Sequence, residues 1–180
     1  MNILMLVGSL RAGSWTATLA DSLVDLLPLG THASVFGELA DVPHYSEDLD
    51  TEHPPAAARA LREAVAAADV LVVATPEYNG SLPGVLKNAI DWTSRPRGSA
   101  ALAGKRVAVI SVSPSPRGAQ WAREDAEKVL RVAGAVPLAT SVGVASVHSV
   151  VTDGKISDPD LLRALSDLVT DLLAADPAAA

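Results

Sequence analysis

The chain has 180 residues, of which 49% are hydrophobic and 3% are aromatic, and its formal net charge at pH 7 is −7. This length and apolar content suit a single aliphatic core, so we expect one domain over residues 1–180, with a frayed tail at 175–180. The negative charge argues against a nucleic-acid or anionic-membrane partner, because both require a basic face. The chain has no cysteine, which excludes disulfides and thiol catalysis.

The sequence contains no pattern typical of a metal site or of a membrane-spanning segment. The four histidines, at positions 32, 44, 53 and 148, lack the spacing of metal ligands, so we predict no metal site. The N-terminus has no basic segment followed by a signal-type apolar core, and no apolar run reaches the roughly 18 residues that a spanning helix needs. We therefore expect a cytoplasmic protein without a membrane segment.

The chain opens with a strand, a polar turn and a helix. Residues 2–7 (NILMLV) are an apolar run, and 8–14 (GSLRAGS) follow it directly. Leucines then recur at helical spacing, at positions 19, 23, 26 and 27. The first N–H groups of a helix have no intrahelical partner and carry a partial positive charge. The turn is therefore predicted to bind a phosphate.

Strands and helices alternate through the rest of the chain. The predicted strands cover 33–36, 69–75, 105–112 and 137–141. The predicted helices cover 56–68, a segment opened by Pro83, 120–133, and a last segment capped by Ser157 or Asp158. An irregular acidic segment occupies 38–55. This alternation predicts an α/β protein with a doubly wound, five-stranded parallel sheet and helices on both faces.

Three polar loops follow predicted strands, namely GSLRAGS at 8–14, PEYNGS at 76–81 and SPSPRG at 113–118. In a doubly wound sheet, ligands bind beyond the carboxyl ends of the strands, where the strand order reverses. The three loops lie at that edge of the predicted sheet. They are therefore predicted to converge on one ligand of mononucleotide size.

The first loop excludes two common nucleotide sites. It lacks the Gly-Lys-Ser/Thr ending that serves the β- and γ-phosphates and magnesium, so a kinase or GTPase is not expected. It also lacks the G-x-G-x-x-G pattern that brings a helix close to a pyrophosphate. It offers instead the hydroxyls of Ser9, Ser14 and Thr16 and the guanidinium of Arg11. This set suits one terminal phosphate, with Arg11 supplying a charge-assisted bond.

Taken together, GSLRAGS, PHYSEDLD and PEYNGSLPGVLKNAIDWTSRP resemble the NADPH-dependent FMN reductase family, which contains flavodoxin-like quinone, azo and chromate reductases. The resemblance covers most of residues 1–113. It implies a flavodoxin-like fold, bound FMN, and NADPH or NADH as co-substrate. The implied acceptor is a quinone, free flavin, azo compound or metal oxyanion. It also implies a homodimer or homotetramer, with the acidic segment and third helix near the interface.

The resemblance assigns roles to matching residues. The FMN phosphate is implied to bind Ser9, Arg11, Ser14, Trp15 and Thr16. The isoalloxazine and ribityl groups are implied to contact Pro76, Glu77, Tyr78, Asn79 and Gly80, with Ser113 on the third side. The hydride chemistry belongs to the flavin, so no catalytic acid or base is expected. Thr16 stands where the family usually has asparagine, and we expect it to weaken FMN binding.

Several alternatives stay open from the sequence. The scaffold could be a flavodoxin-type electron-transfer module without nicotinamide chemistry, or a regulator that has lost its cofactor. Glu77 could cap a helix instead of lining the site. Arg95 and Arg97 could be solvated or could bind the NADPH 2′-phosphate. Trp15 and Trp92 could be core residues or site residues.

Overall fold

A parallel β-sheet runs through the centre of the computed structural model, which describes residues 1–174. Its strands are β1 Asn2–Val7, β2 His32–Val35, β3 Val70–Thr75, β4 Arg106–Val112, β5 Val136–Pro137 and β6 Val142–Val144. Their order is β2-β1-β3-β4-β5, and β6 also pairs with β4. All of these pairs are parallel. The doubly wound order confirms the predicted fold class, whereas the predicted frayed tail at 175–180 lies outside the described residues.

Helices cover both faces of the sheet. They are α1 Trp15–Val24, α2 Ala56–Ala67, α3 Gly84–Thr93, α4 Gln120–Val132 and α5 Pro159–Leu173. Successive strand residues point to opposite faces. Leu4 and Leu6 accordingly pack in the core formed with α2, α3 and α4, and Ile3 and Met5 pack in the core formed with α1 and α5. Of the helices within residues 1–174, none is long and apolar enough to cross a membrane.

The fifth strand is split, so the prediction of a continuous strand over 137–141 is wrong. Val136 and Pro137 pair with the start of β4, and β6 pairs with its end. Residues 138–141 run past a stretch of β4 only two residues long, Ala108 and Val109, and therefore bulge out of the ladder. The hydroxyl of Thr140 in this bulge donates a 2.8 Å hydrogen bond to Asp171 of α5.

A short hairpin before α5 was not predicted. It pairs β7 Val151–Thr152 with β8 Lys155–Ile156 in antiparallel fashion. Its turn residues, Asp153 and Gly154, have φ angles of 51° and 75°, in the left-handed region. Asp-Gly between two short segments that carry Val151 and Ile156 is a sequence signal for this type of turn, so the hairpin was predictable.

The acidic segment 38–55 is tied to α3 by buried polar side chains. Asn88 donates a 3.0 Å hydrogen bond to the carbonyl of Pro43 and accepts a 2.8 Å hydrogen bond from the backbone N–H of Tyr45. The indole N–H of Trp92 donates to the same Pro43 carbonyl at 2.7 Å. Trp92 is fully buried, so it is a core residue. These bonds fix the position of α3, whose first residue follows the second polar loop.

Candidate functional site

The first polar loop ends in a helix start that is suited to an anion. Ser14 caps α1, and its hydroxyl oxygen accepts a 3.1 Å hydrogen bond from the backbone N–H of Ala17. The hydroxyl proton is still available as a donor. The helix itself offers no acceptor to the N–H groups of Trp15 and Thr16. Two backbone donors, one hydroxyl and the positive end of the helix dipole therefore meet at this point.

Arg11 adds a mobile positive charge to the same loop. Its side chain is exposed, and its guanidinium makes a long, 3.4 Å contact with the carbonyl of the adjacent Ala12. Thr16, by contrast, is only 2% exposed and lies against the wall of the site. A guanidinium held this loosely can turn toward a phosphate and bind it through two parallel N–H donors.

Gly8 allows the first loop to pass close to α3. Its N–H donates a 2.8 Å hydrogen bond to the carbonyl of Ala74 at the end of β3. A Cβ at this position would lie 2.5 Å from Cδ1 of Leu86 and 3.2 Å from Cδ of Pro76. Because these distances are shorter than van der Waals contact, only glycine fits here without a shift. The first and second loops are therefore packed together at their bases.

The second loop forms a tight turn. Tyr78 and Ser81 exchange backbone hydrogen bonds of 3.0 and 3.2 Å. Between them, Asn79 and Gly80 have φ angles of 53° and 77°, as a type I′ turn requires. The N–H of Tyr78 is thus used inside the turn. Donors from this loop to a bound flavin would come from the N–H groups of Glu77, Asn79 and Gly80.

Two side chains of the second loop hold the start of α4. The carboxylate of Glu77 accepts a 3.2 Å hydrogen bond from the N–H of Ala122. The N-cap residue of α4, Ala119, offers no side-chain acceptor, so Glu77 takes that capping role from another loop. The hydroxyl of Ser81 donates a 2.5 Å hydrogen bond to Asp125 one turn further along. Glu77 therefore caps α4, and it also lines the cleft described below.

The third loop is braced by the chain that follows β6. The N–H of Ser113 donates a 3.0 Å hydrogen bond to the carbonyl of Val144, and the Ser113 carbonyl accepts one of 3.2 Å from Val147. The same segment places the imidazole of His148 edge-on to the indole of Trp15, with ring centroids 5.3 Å apart. The contact of His148 with Trp15 joins this segment to the first loop.

The three loops meet around one cleft of about 160 Å³. Nine of the eleven predicted site residues line it: Ser9, Arg11, Ser14, Trp15, Thr16, Pro76, Glu77, Tyr78 and Ser113. Val112 and Pro114 complete the lining, whereas Asn79 and Gly80 lie in the turn outside it. Their roles in binding FMN remain predictions.

The donor set fits the phosphate end of FMN. It combines hydroxyls, a helix N-terminus and a guanidinium, while the pyrrolidine of Pro76 and the side chain of Val112 give the cleft apolar wall. Pockets for whole small molecules are typically about 300–1,000 Å³, and this cleft is smaller. The protomer therefore encloses only part of a ligand the size of FMN and leaves the rest open.

Two groups of charged or aromatic residues lie outside the cleft. Arg95 and Arg97 line a separate groove between α3 and α4, so the structure does not bring them to the three loops. Trp121 and Arg117 lie beside the second and third loops, with the guanidinium 4.7 Å from the indole centroid. Sequence reasoning missed this pair. The sequence did contain a signal for this pair: Trp121 is an aromatic residue in the first turn of a predicted helix that follows a polar loop.

A doubly wound parallel sheet of order 2-1-3-4-5, with a helix start suited to an anion at the carboxyl end of β1, defines a flavodoxin-like protein. The sequence profile of the family described as NADPH-dependent FMN reductase matches residues 1–149. The chain belongs to this family, which confirms the resemblance found in the sequence. FMN and NAD(P)H, the predicted cofactors, are the pair that this family implies.

Named relatives agree with this assignment. A quinone reductase from Pseudomonas putida is 43% identical over 117 residues, covering 65% of this chain and 62% of the relative. A 2-hydroxy-1,4-benzoquinone reductase from a Burkholderia species is 44% identical over 113 residues, covering 63% and 61%. The match thus spans about three fifths of these relatives. The structure of FerB from Paracoccus denitrificans, a flavoenzyme NAD(P)H:(acceptor) oxidoreductase, has a TM-score of 0.85, 31% identity, and coverage of 95% and 94%.

Proposed function

We propose that this protein is an FMN-dependent NAD(P)H oxidoreductase that passes hydride from NAD(P)H through bound FMN to an electron acceptor. The observation that carries the proposal is the meeting of three polar loops around one cleft, with an anion-binding helix start on one side. FMN supplies the hydride chemistry when it is bound. The acceptor is a quinone, free flavin, azo compound or metal oxyanion.

In this proposal, the residues of the chain bind the cofactor and orient it. Arg11, the Ser14 hydroxyl and the first N–H groups of α1 hold the phosphate. Pro76, Tyr78 and Ser113, which line the same cleft, would contact the ring and the ribityl chain. Because the cleft is small, one side of the ring stays open to incoming molecules. An open ring accepts both a nicotinamide and a flat acceptor in turn.

A quinone is the acceptor that the comparisons favour. The relatives from Pseudomonas putida and a Burkholderia species are named for quinone substrates, and each is more than two fifths identical over its match. The exposed phenol ring of Tyr78, 52% accessible, stands beside the cleft and gives a flat acceptor a surface to stack on. We therefore place quinones first among the candidate acceptors.

The proposal includes a single FMN-binding domain over residues 1–180 in a cytoplasmic homodimer or homotetramer. An open, shallow cleft supports this assembly, because a second subunit would cover some of the ligand that one protomer leaves exposed. Size-exclusion chromatography with light scattering gives the mass in solution. A monomer at micromolar concentration would contradict the proposed assembly, but it would not contradict the proposed oxidoreductase activity.

The decisive experiment is a spectrum followed by an activity assay. The purified protein, loaded with FMN if needed, is expected to show flavin absorbance and to oxidise NADPH in the presence of menadione. Direct oxidation of NADPH without a partner reductase would exclude the electron-transfer alternative. A protein that stays colourless after addition of FMN, and shows no binding by isothermal titration, would support the regulator and contradict the proposal.

A further inference from the structure

An exposed tryptophan stands next to the cleft without lining it. Trp121 lies in the first turn of α4 and is 51% exposed, in a chain with only three tryptophans. Of the other two, Trp92 is fully buried and Trp15 is half-buried against His148. Exposing an indole costs hydrophobic free energy, so its position outside the core requires an explanation.

The indole is held in a fixed place relative to the cleft. A Cβ added at Gly80, in the turn that follows cleft residue Tyr78, would lie 3.5 Å from Cε3 of Trp121. The hydrogen bonds that Ala122 donates to Glu77 and that Ser81 donates to Asp125 attach the start of the helix to the second loop. The indole therefore lies against the turn of the second loop, next to the residues that line the cleft.

A positive charge accompanies the ring. The guanidinium of Arg117 lies 4.7 Å from the indole centroid, which is the geometry of a cation–π contact. Arg117 belongs to the same loop as cleft residues Ser113 and Pro114. Among residues 1–174, no carboxylate oxygen lies within 4.0 Å of a guanidinium nitrogen of Arg117.

The surface beside the indole is concave. A shallow cavity of about 380 Å³ is lined by Gly80, Trp121, Glu124, Asp125 and Lys128. Both of its carboxylates already have partners. Glu124 accepts a 2.7 Å hydrogen bond from Gln120, and Asp125 is bonded to Ser81 and to Lys128. Among the described residues, neither of these carboxylates pairs with the Arg117 guanidinium, which does not itself line this cavity.

We propose that Trp121 and Arg117 form the subsite for the adenine-nucleotide half of NAD(P)H, an inference that rests on the proposed function. The adenine ring stacks on the indole, and the guanidinium pairs with a phosphate oxygen. The position outside the cleft favours a dinucleotide over a quinone. A one-ring acceptor needs to reach only the flavin, whereas a dinucleotide whose nicotinamide meets the flavin extends to a second aromatic group outside the cleft.

Titration with ADP and with 2′,5′-ADP tests the subsite without turnover. Isothermal titration of the FMN-loaded protein is expected to show that Trp121→Ala weakens both ligands about tenfold, the effect of losing one base–aromatic stack. Trp121→Phe should keep most of the affinity, because it keeps a flat ring. Arg117→Met should weaken both ligands, and raising the salt concentration should shrink that loss.

Two variants of the same helix serve as controls. Val132, which is 85% exposed, and Arg131, also exposed, lie more than two turns away from Trp121. Val132→Ala and Arg131→Met should bind ADP as the wild type does. In steady-state assays, Trp121→Ala should raise the KM for NADPH about tenfold and leave the KM for menadione unchanged.

Wild-type ADP affinity in both Trp121→Ala and Arg117→Met would overturn the subsite. So would a raised KM for menadione with an unchanged KM for NADPH, because that result assigns the indole to the acceptor. If Trp121→Ala does not fold, Arg117→Met decides: wild-type affinity for ADP in that variant would then overturn the subsite. A failure of the proposed function would give a different result: the wild-type protein itself would bind no FMN or would oxidise no NADPH.

Discussion

The guanidinium of Arg62 donates a 2.7 Å hydrogen bond to the carboxylate of Asp50, and the two side chains are only 15% and 12% exposed. Arg62 also donates a 2.8 Å hydrogen bond from Nε to the carbonyl of Trp92, near the end of α3. The second oxygen of Asp50 accepts a 3.2 Å hydrogen bond from the hydroxyl of Tyr45. This ion pair therefore joins the acidic segment to α2 and α3, the elements behind the second loop.

Asp50→Asn should lower the free energy of unfolding by about 3 kcal/mol, because it leaves the Arg62 charge mostly buried without a partner. Urea unfolding measures the loss. Asp91→Asn is the matched control, since the pair of Asp91 with Lys87 is much more exposed, at 38% and 46%. That control should cost about 1 kcal/mol or less. Equal losses in the two variants would show that the buried Arg62–Asp50 pair stabilises the protein no more than the exposed pair does.

Gly8→Ala should destabilise the protein by about 1–3 kcal/mol, because the added methyl group would overlap the fully buried Leu86. It should also weaken FMN binding, since relief of the overlap moves the first loop away from the second. Thermal unfolding and FMN titration measure the two effects. Gly37→Ala is the control, because a Cβ at Gly37 meets no atom within 4 Å. A Gly8→Ala variant with wild-type stability would refute the close approach.

Arg11→Met should weaken FMN by about 1.5–3 kcal/mol, the range for a hydrogen bond to a charged group, or about 10- to 150-fold in Kd. Riboflavin lacks the phosphate, so its Kd should stay the same in this variant. Quenching of flavin fluorescence measures both constants. Arg59→Met, an exposed arginine on α2, controls for loss of a surface charge. If riboflavin and FMN weaken equally, the phosphate assignment of Arg11 fails.

Asp125 should make the folded state sensitive to acid. Hydrogen bonds from Lys128 and Ser81 hold the pKa of the Asp125 carboxyl below its usual value of 3.8. Its stabilising contribution is therefore complete above the unfolded-state pKa and is lost as the pH falls through the lower folded-state pKa.

The test compares the wild type with Asp125→Asn in urea unfolding at pH 6 and pH 3. The wild type should be more stable at pH 6, by about 1 kcal/mol or less for a partly exposed pair, and the gap should shrink at pH 3. Glu127→Gln, on the same helix, serves as the control variant. A gap that is constant or that widens at pH 3 would contradict the lowered pKa of Asp125.

Much of the architecture follows from short-range patterns in the sequence. The run of buried β-branched residues in β3 and the polar loop after β1 each depend on neighbours close in the chain. Parallel strands present their carboxyl ends at one edge, so the meeting of the three loops was predictable from strand order alone. The split of the fifth strand was not, because it depends on the register of two short segments against β4.

The local sequence thus determined the α/β fold, the helix start after the first loop with Ser14 as its cap, and the family. Only the tertiary structure decided which side chains meet across loops. In the folded structure, Glu77 caps the start of α4, Trp92 lies in the core, and Trp121 and Arg117 lie beside the cleft. The physical reason is sequence distance: Glu77 and Ala122 are 45 residues apart, and packing of helices on the sheet brings them together.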